Sequence, residues 1–323
     1  MKRTIRNILA ILLSLILFTA CTVPSFAAGK EAEPQVPSYI PFPIGQRIQS
    51  DAFTGNAYLK PMIQKDNVYN FPTTNTVTFA PGARSSWHVH GGMIIMAVGG
   101  LGYYQEEGKP AQVLRKGDIV QIPAGVRHWH GAAPNHWFQQ MVIYDSDYVP
   151  TDTRPGAKVT DEEYRTLQKQ EARPRTTKPS PVMFDMADQP MDSPNFNGPA
   201  YVSGLVSTPN VAGAAPIAYV VFGDKVINNW HEHDGGQILI CTDGVGYTQI
   251  EGQPVQVMHP GDVAFCPPGV RHWHGAAPGA TFAHIAIETN PDKPGVHWYN
   301  RISNLDYSKI VLQSVLNGQL RKS

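Results

Sequence analysis

The chain is 323 residues long, enough for two domains of ordinary size, and its 26 Lys plus Arg equal its 26 Asp plus Glu. That balance excludes the basic surface expected of a nucleic-acid-binding protein, so the expected partner is a small molecule read from local sites. Twenty-nine Gly and 28 Pro mark many turns. The apolar residues come in short runs such as Val77-Thr78-Phe79 and Ile238-Leu239-Ile240, which predicts an all-β fold of short strands.

At the start, Lys2, Arg3 and Arg6 precede an apolar run from Ile8 to Phe18 that is too short to span a bilayer, and Ser25-Phe26-Ala27 fits a signal-peptidase site. Residues 1–27 therefore read as a signal peptide, and the protein as exported to the periplasm or secreted. Phe18-Thr19-Ala20-Cys21 resembles a lipobox with Phe where Leu is usual. In that alternative Cys21 carries a lipid, which would be the one membrane contact.

A first domain is expected over 36–159. It holds Trp87-His88-Val89-His90, then Gly117-Asp118, Pro123, Gly125 and His128-Trp129-His130-Gly131-Ala132-Ala133-Pro134. A helix and linker are expected over 160–185, where Thr160-Asp161-Glu162-Glu163 has the form of a capping box and Arg173 to Pro181 is rich in proline. The second domain, 186–323, repeats the cassette as Trp230-His231-Glu232-His233, Gly261-Asp262, Pro267, Gly269 and His272-Trp273-His274-Gly275-Ala276-Ala277-Pro278. At its end Val311, Leu312, Val315 and Leu316 share one helical face, which must cover either the barrel or a partner subunit and leaves a homo-oligomer open.

Strand geometry explains the cassette. Residues i and i+2 of a strand point the same way, so His231 and His233 enter the barrel together while Trp230 and Glu232 point out. The turn Asp234-Gly235-Gly236 then delivers Gln237, and His272 arrives from a later strand. These four are the expected metal ligands of the second domain, the principal site. The first domain offers His88, His90 and His128, with Met93, a poor ligand, at the fourth position. Cys241 and Cys266 lie in predicted strands and read as buried thiols, a disulfide between them staying open in an exported protein.

These spacings resemble the two motifs of the cupin family. Gly82 leads to His88 and His90, and Gly117, Pro123, Gly125 and His128 follow; in the second repeat His231, His233, Gly261, Pro267, Gly269 and His272 match, with the leading Gly displaced to Gly223. The resemblance covers most of residues 45–300 and implies two tandem jelly-roll barrels, a bicupin. His272-Trp273-His274-Gly275-Ala276-Ala277-Pro278, with His284 after it, is similar to the manganese-dependent hydroxynitrile lyases of this class. That implies a divalent metal, Mn first and Fe, Zn or Ni as alternatives, with His274 and His284 as catalytic acid–base groups. The neutral Gln237 favours Lewis-acid over redox chemistry. A metal-dependent lyase or isomerase acting on a small hydroxy- or keto-substrate is expected, with a cupin dioxygenase and a non-catalytic ligand-binding bicupin as alternatives.

Overall fold

The computed structural model describes residues 34–152, 154, 156–168 and 180–320. The segment expected to be a signal peptide, Cys21 and most of the Pro-rich stretch lie outside the described residues. No helix among the described residues is long and apolar enough to cross a membrane.

In the first repeat ten strands form one antiparallel sheet. Its order is Gln46–Arg47, Ala57–Ile63, Thr73–Phe79, Phe138–Tyr144, Met93–Glu106, His128–Ala132, Arg84–Ser85 and Phe53–Thr54, with Gln112–Arg115 and Ile119–Ile122 also paired to Met93–Glu106. The second repeat divides the same plan between two five-stranded sheets. One runs Ala200–Val206, Ile217–Phe222, Phe282–Glu288, Gln237–Gly244, Val263–Cys266, and the other Gln256–Met258, Gly246–Ile250, His272–Ala276, His231–His233, Val296–Trp298. The expected fold of two tandem β-barrels is present.

Alternation along each strand assigns its side chains. On Phe282–Glu288, Phe282 and Ala286 enter the barrel with Phe222, Leu239 and Cys241. Ala283, Ile285 and Ile287 point outward and meet Ile94, Met96, Met141 and Ile143 of the first repeat. The barrels thus pack sheet against sheet, which is why Ile238-Leu239-Ile240 is apolar on both faces. The arm before each barrel seals this seam: Phe42 packs in the shared core and lies close to Gly261 of the other repeat, while Phe184 packs against Tyr219 at 5.3 Å between ring centroids.

Each repeat ends in a helix laid on its own barrel. Helix α1 (Asp161–Thr166) has the expected capping box, Thr160 accepting from Glu163 N while the Glu163 side chain accepts from Thr160 N. Its Tyr164 packs with the buried Trp129, and the Tyr164 hydroxyl donates to Ala132 O. Helix α2 (Asn304–Leu316) repeats this with Ser303 as N-cap, Tyr307 against Trp273, and the Tyr307 hydroxyl donating to Ala276 O. Within the segment 160–185, α1 covers the first barrel and Val182–Phe184 enter the shared core.

Of the apolar face expected on α2, only Val311 meets the barrel. Tyr307, Ile310 and Val311 pack on the barrel, while Leu312, Val315 and Leu316 are 60%, 54% and 76% exposed. Tyr307 sets the register through its hydrogen bond, and residues three and four positions on from it face the same way. Cys241 and Cys266 are both buried and free, so no disulfide joins them. Burial raises both thiols, Cys266 to about 12, and keeps them protonated.

Candidate metal centres and the cavities beside them

In the second repeat the strand His231–His233 turns back at once. Gly236 has φ +84°, and a Cβ on Gly235 would stand 2.0 Å from Thr289 O, so the two glycines allow the reversal that starts the next strand at Gln237. Gln237 is flanked in register by Cys266 and Glu288. In the first repeat His88 makes only an isolated bridge to His128, whereas His231 pairs with both His272 and Trp298.

The first triad is the simpler one. Nδ1 of His88, His90 and His128 faces the carbonyl oxygens of Ser86, Gly91 and Val126 at 2.8, 2.6 and 2.9 Å. Donation there fixes the tautomer and leaves each Nε2 lone pair free. One ligand atom from each of the three lies within 4.8 Å of the others, and Nε2 of His90 and His128 is buried without a partner. Desolvation, opposed by the Ser86 hydrogen bond, lowers His88 to about 4, and desolvation with the nearby His88 lowers His128 to about 2. Three neutral imidazoles converging in a buried space fit a divalent metal ion. Met93 packs into the apolar interior and offers that ion nothing.

In the second barrel His231 and His272 direct Nδ1 to Asn229 O and Val270 O, both at 3.0 Å. The His272 Nε2 lone pair then faces Gln237 Oε1 at 3.1 Å, two acceptors in contact, an arrangement that a cation held by both would resolve. The site therefore also fits a divalent metal. The mutually close group is His231, His272 and His274, with ligand atoms within 4.8 Å. The His233 ring stands 5.2 Å from His231 and 5.6 Å from His272, its nitrogens unpartnered and Nδ1 3.7 Å from Glu288 Oε1.

His274 has a constraint of its own. Asn228 Oδ1 accepts from His274 N at 2.9 Å, so Asn228 Nδ2 is the group 3.0 Å from His274 Nε2. The proton of His274 therefore sits on Nδ1, which is buried and unpartnered and serves as a donor into the barrel. His284 lies 4.8 Å from His274, between the Phe222 and Phe282 rings, with both nitrogens unpartnered. Burial lowers it to about 3, so it is neutral at physiological pH.

The two barrels differ at one end, at positions the histidine cassette does not mark. Asn75, Val142 and Tyr144 at one end of the first barrel become Ala218, Ala286 and Glu288 in the second. There these three and His233 line a cavity of about 400 Å³. Glu288 stands mostly exposed at its mouth, and desolvation by the cavity wall raises its carboxyl pKa. The first triad opens elsewhere, into a cavity of about 460 Å³ lined by Trp87, His88, His130 and Gly156. His136 is exposed on its loop.

Two barrels, each gathering histidines from a His-x-His segment and a later strand, define a double-domain metal-site protein. The sequence matches the Cupin domain family at residues 75–137 and 220–286, and the chain belongs to the cupin family as a bicupin. It is 38% identical over 117 residues to an (R)-mandelonitrile lyase of Granulicella tundricola, a match covering 35% of this chain and 86% of that protein. Among solved structures, vicilin from Capsicum annuum shares the fold at 12% identity, covering 82% of this chain and 90% of its own, with a TM-score of 0.51. An oxalate decarboxylase does so at 14% identity, covering 87% and 82%, with a TM-score of 0.50.

Proposed function

We propose that the second barrel is a metal-dependent lyase site for a small hydroxy-substrate of the cyanohydrin type, with manganese as its metal. The observation that carries this reading is the cavity lined by Ala218, Ala286 and Glu288, where the first barrel carries the larger Asn75, Val142 and Tyr144, with Asn75 Nδ2 donating to the Tyr144 hydroxyl. The relative named as a mandelonitrile lyase supports the substrate class. His231, His272 and Gln237, with His233 beside them, would hold the metal, which supplies Lewis acidity to a substrate oxygen.

The chain's own groups handle the protons. Cleavage breaks the bond between the carbinol and nitrile carbons. The neutral His284 takes the hydroxyl proton and returns it to the departing cyanide, which carries the bond's electron pair, while His274 Nδ1–H donates a hydrogen bond that positions it, giving an aldehyde and hydrogen cyanide with both imidazoles neutral again. We include export directed by residues 1–27 in this proposal.

The test uses the Mn-loaded chain and racemic mandelonitrile, with benzaldehyde release as the signal. Wild type should release the aldehyde. A variant carrying Ala218→Asn, Ala286→Val and Glu288→Tyr, which refills the cavity as in the first barrel, should not, at unchanged metal content. An inactive metal-loaded wild type, or a fully active refilled variant, would sink the reading.

A further inference from the structure

The second barrel has another cavity, of about 590 Å³, that shares no lining residue with the one beside His233. Thr248, Ile250, Ala264, Cys266 and Val270 form its walls, with Gln253 at the rim. Thr248 pairs in register with His274 as Tyr104 does with His130, so the two side chains hold equivalent positions in the two barrels. The phenol ring of Tyr104 is fully buried, 5.8 Å from the His128 ring, and its hydroxyl donates to Glu106. In the second barrel Thr248 replaces Tyr104, Ile250 replaces Glu106 and Cys266 replaces Ile122.

We infer that this cavity is a binding site for a neutral, phenol-sized aryl group, whose ring takes the position that Tyr104 holds in the first barrel. Three observations carry it. The chain itself places a phenol in the equivalent space of its other half. Thr248 is 4% exposed and, apart from its contact with the Cys266 thiol, its buried hydroxyl has no hydrogen-bond partner, an unsatisfied polar group in the cavity wall. No Lys, Arg or His lines the cavity and Glu251 does, which disfavours a carboxylate. The inference stands on residues other than those of the proposed lyase cavity and holds whether or not that reading does.

The probe is 4-fluorophenol, followed by its ¹⁹F resonance against the full metal-loaded chain. Wild type should broaden and shift the signal. Thr248→Tyr should weaken binding by roughly tenfold or more, with metal content unchanged. Should that variant misfold, Thr248→Tyr with Ile250→Glu restores the hydroxyl's partner and should give the same loss. The refilled variant of the lyase test should still bind the probe, which separates the two sites. No binding by wild type, or equal binding by the correctly folded Tyr variant, overturns the inference.

Discussion

The indole of Trp298 stacks on the imidazole of His231, with ring centroids 4.7 Å apart and planes 28° apart. Trp298 comes from Val296–Trp298, the strand that pairs with His231–His233. His231 is consequently 1% exposed, whereas its twin His88 is half-buried and lines an open cavity. The two candidate centres therefore meet solvent through different walls of their barrels. The second is closed beside Trp298 and open beside Glu288.

Trp298→Ala should remove that cover without removing a ligand atom. Metal content is expected to stay at the wild-type level, while loss of metal to a chelator should quicken toward the rate of the first barrel. Stripping kinetics followed site by site check this. An unchanged rate in the second barrel would mean that its metal exchanges through the cavity beside Glu288 alone.

Both triads should bind metal. The double change His88→Ala with His128→Ala, and equally His231→Ala with His272→Ala, should each lower metal content by about one equivalent per chain. Elemental analysis of the purified variants gives the count. Turnover of mandelonitrile should vanish only in the second pair, because the first barrel keeps Asn75, Val142 and Tyr144 where the second has its cavity. An inactive but correctly folded first-barrel pair would place the reaction on the wrong side of the duplication.

The repeat made the fold and both histidine clusters legible, because period-two alternation fixes which of His231, Glu232 and His233 enter a barrel. Gln237 was legible for the same reason, through its two-glycine turn. Glu288, Asn228 and Trp298 were not, since each acts through a neighbour distant in the chain: the His233 strand, the His274 ring and the His231 ring. Which part of the apolar face of α2 meets the barrel was not legible, because one tyrosine hydroxyl, that of Tyr307, sets the rotation. The lowered pKa of His284 was not legible, because a sequence shows the residue type and not the two phenyl rings around it.

Stability of the metal-free protein should fall in mild acid. Desolvation lowers His88, His233 and His272 to about 4 and His284 to about 3, against 6.5 when exposed. Between those values the unfolded chain binds protons that the folded chain refuses, so stability rises with pH through this window. The contribution is complete above pH 6.5 and is lost as pH falls toward 4 and then 3. At pH 5 the fully buried His284 alone accounts for about 2 kcal/mol of the loss. Urea midpoints of the chelated protein at pH 7 and pH 5 measure it, and His284→Gln should shrink the difference. Equal midpoints at the two pH values would refute the lowered values.

His284→Gln also separates chemistry from metal binding. The change copies Gln140 of the first barrel, whose Nε2 lies 3.0 Å from His130 Nδ1, so the space between Phe222 and Phe282 already tolerates an amide in one half of the chain. His284 lies outside the group of His231, His272 and His274 whose ligand atoms converge, and metal content should not change. Turnover of mandelonitrile should drop by roughly 10²-fold, the usual effect of removing a proton-transfer group. Because burial holds His284 near 3, the wild-type rate should show no inflection at the ordinary histidine value that disappears in the variant. Full activity in the Gln variant would assign His284 to packing between the phenyl rings, and loss of the metal would make it a support of the centre itself.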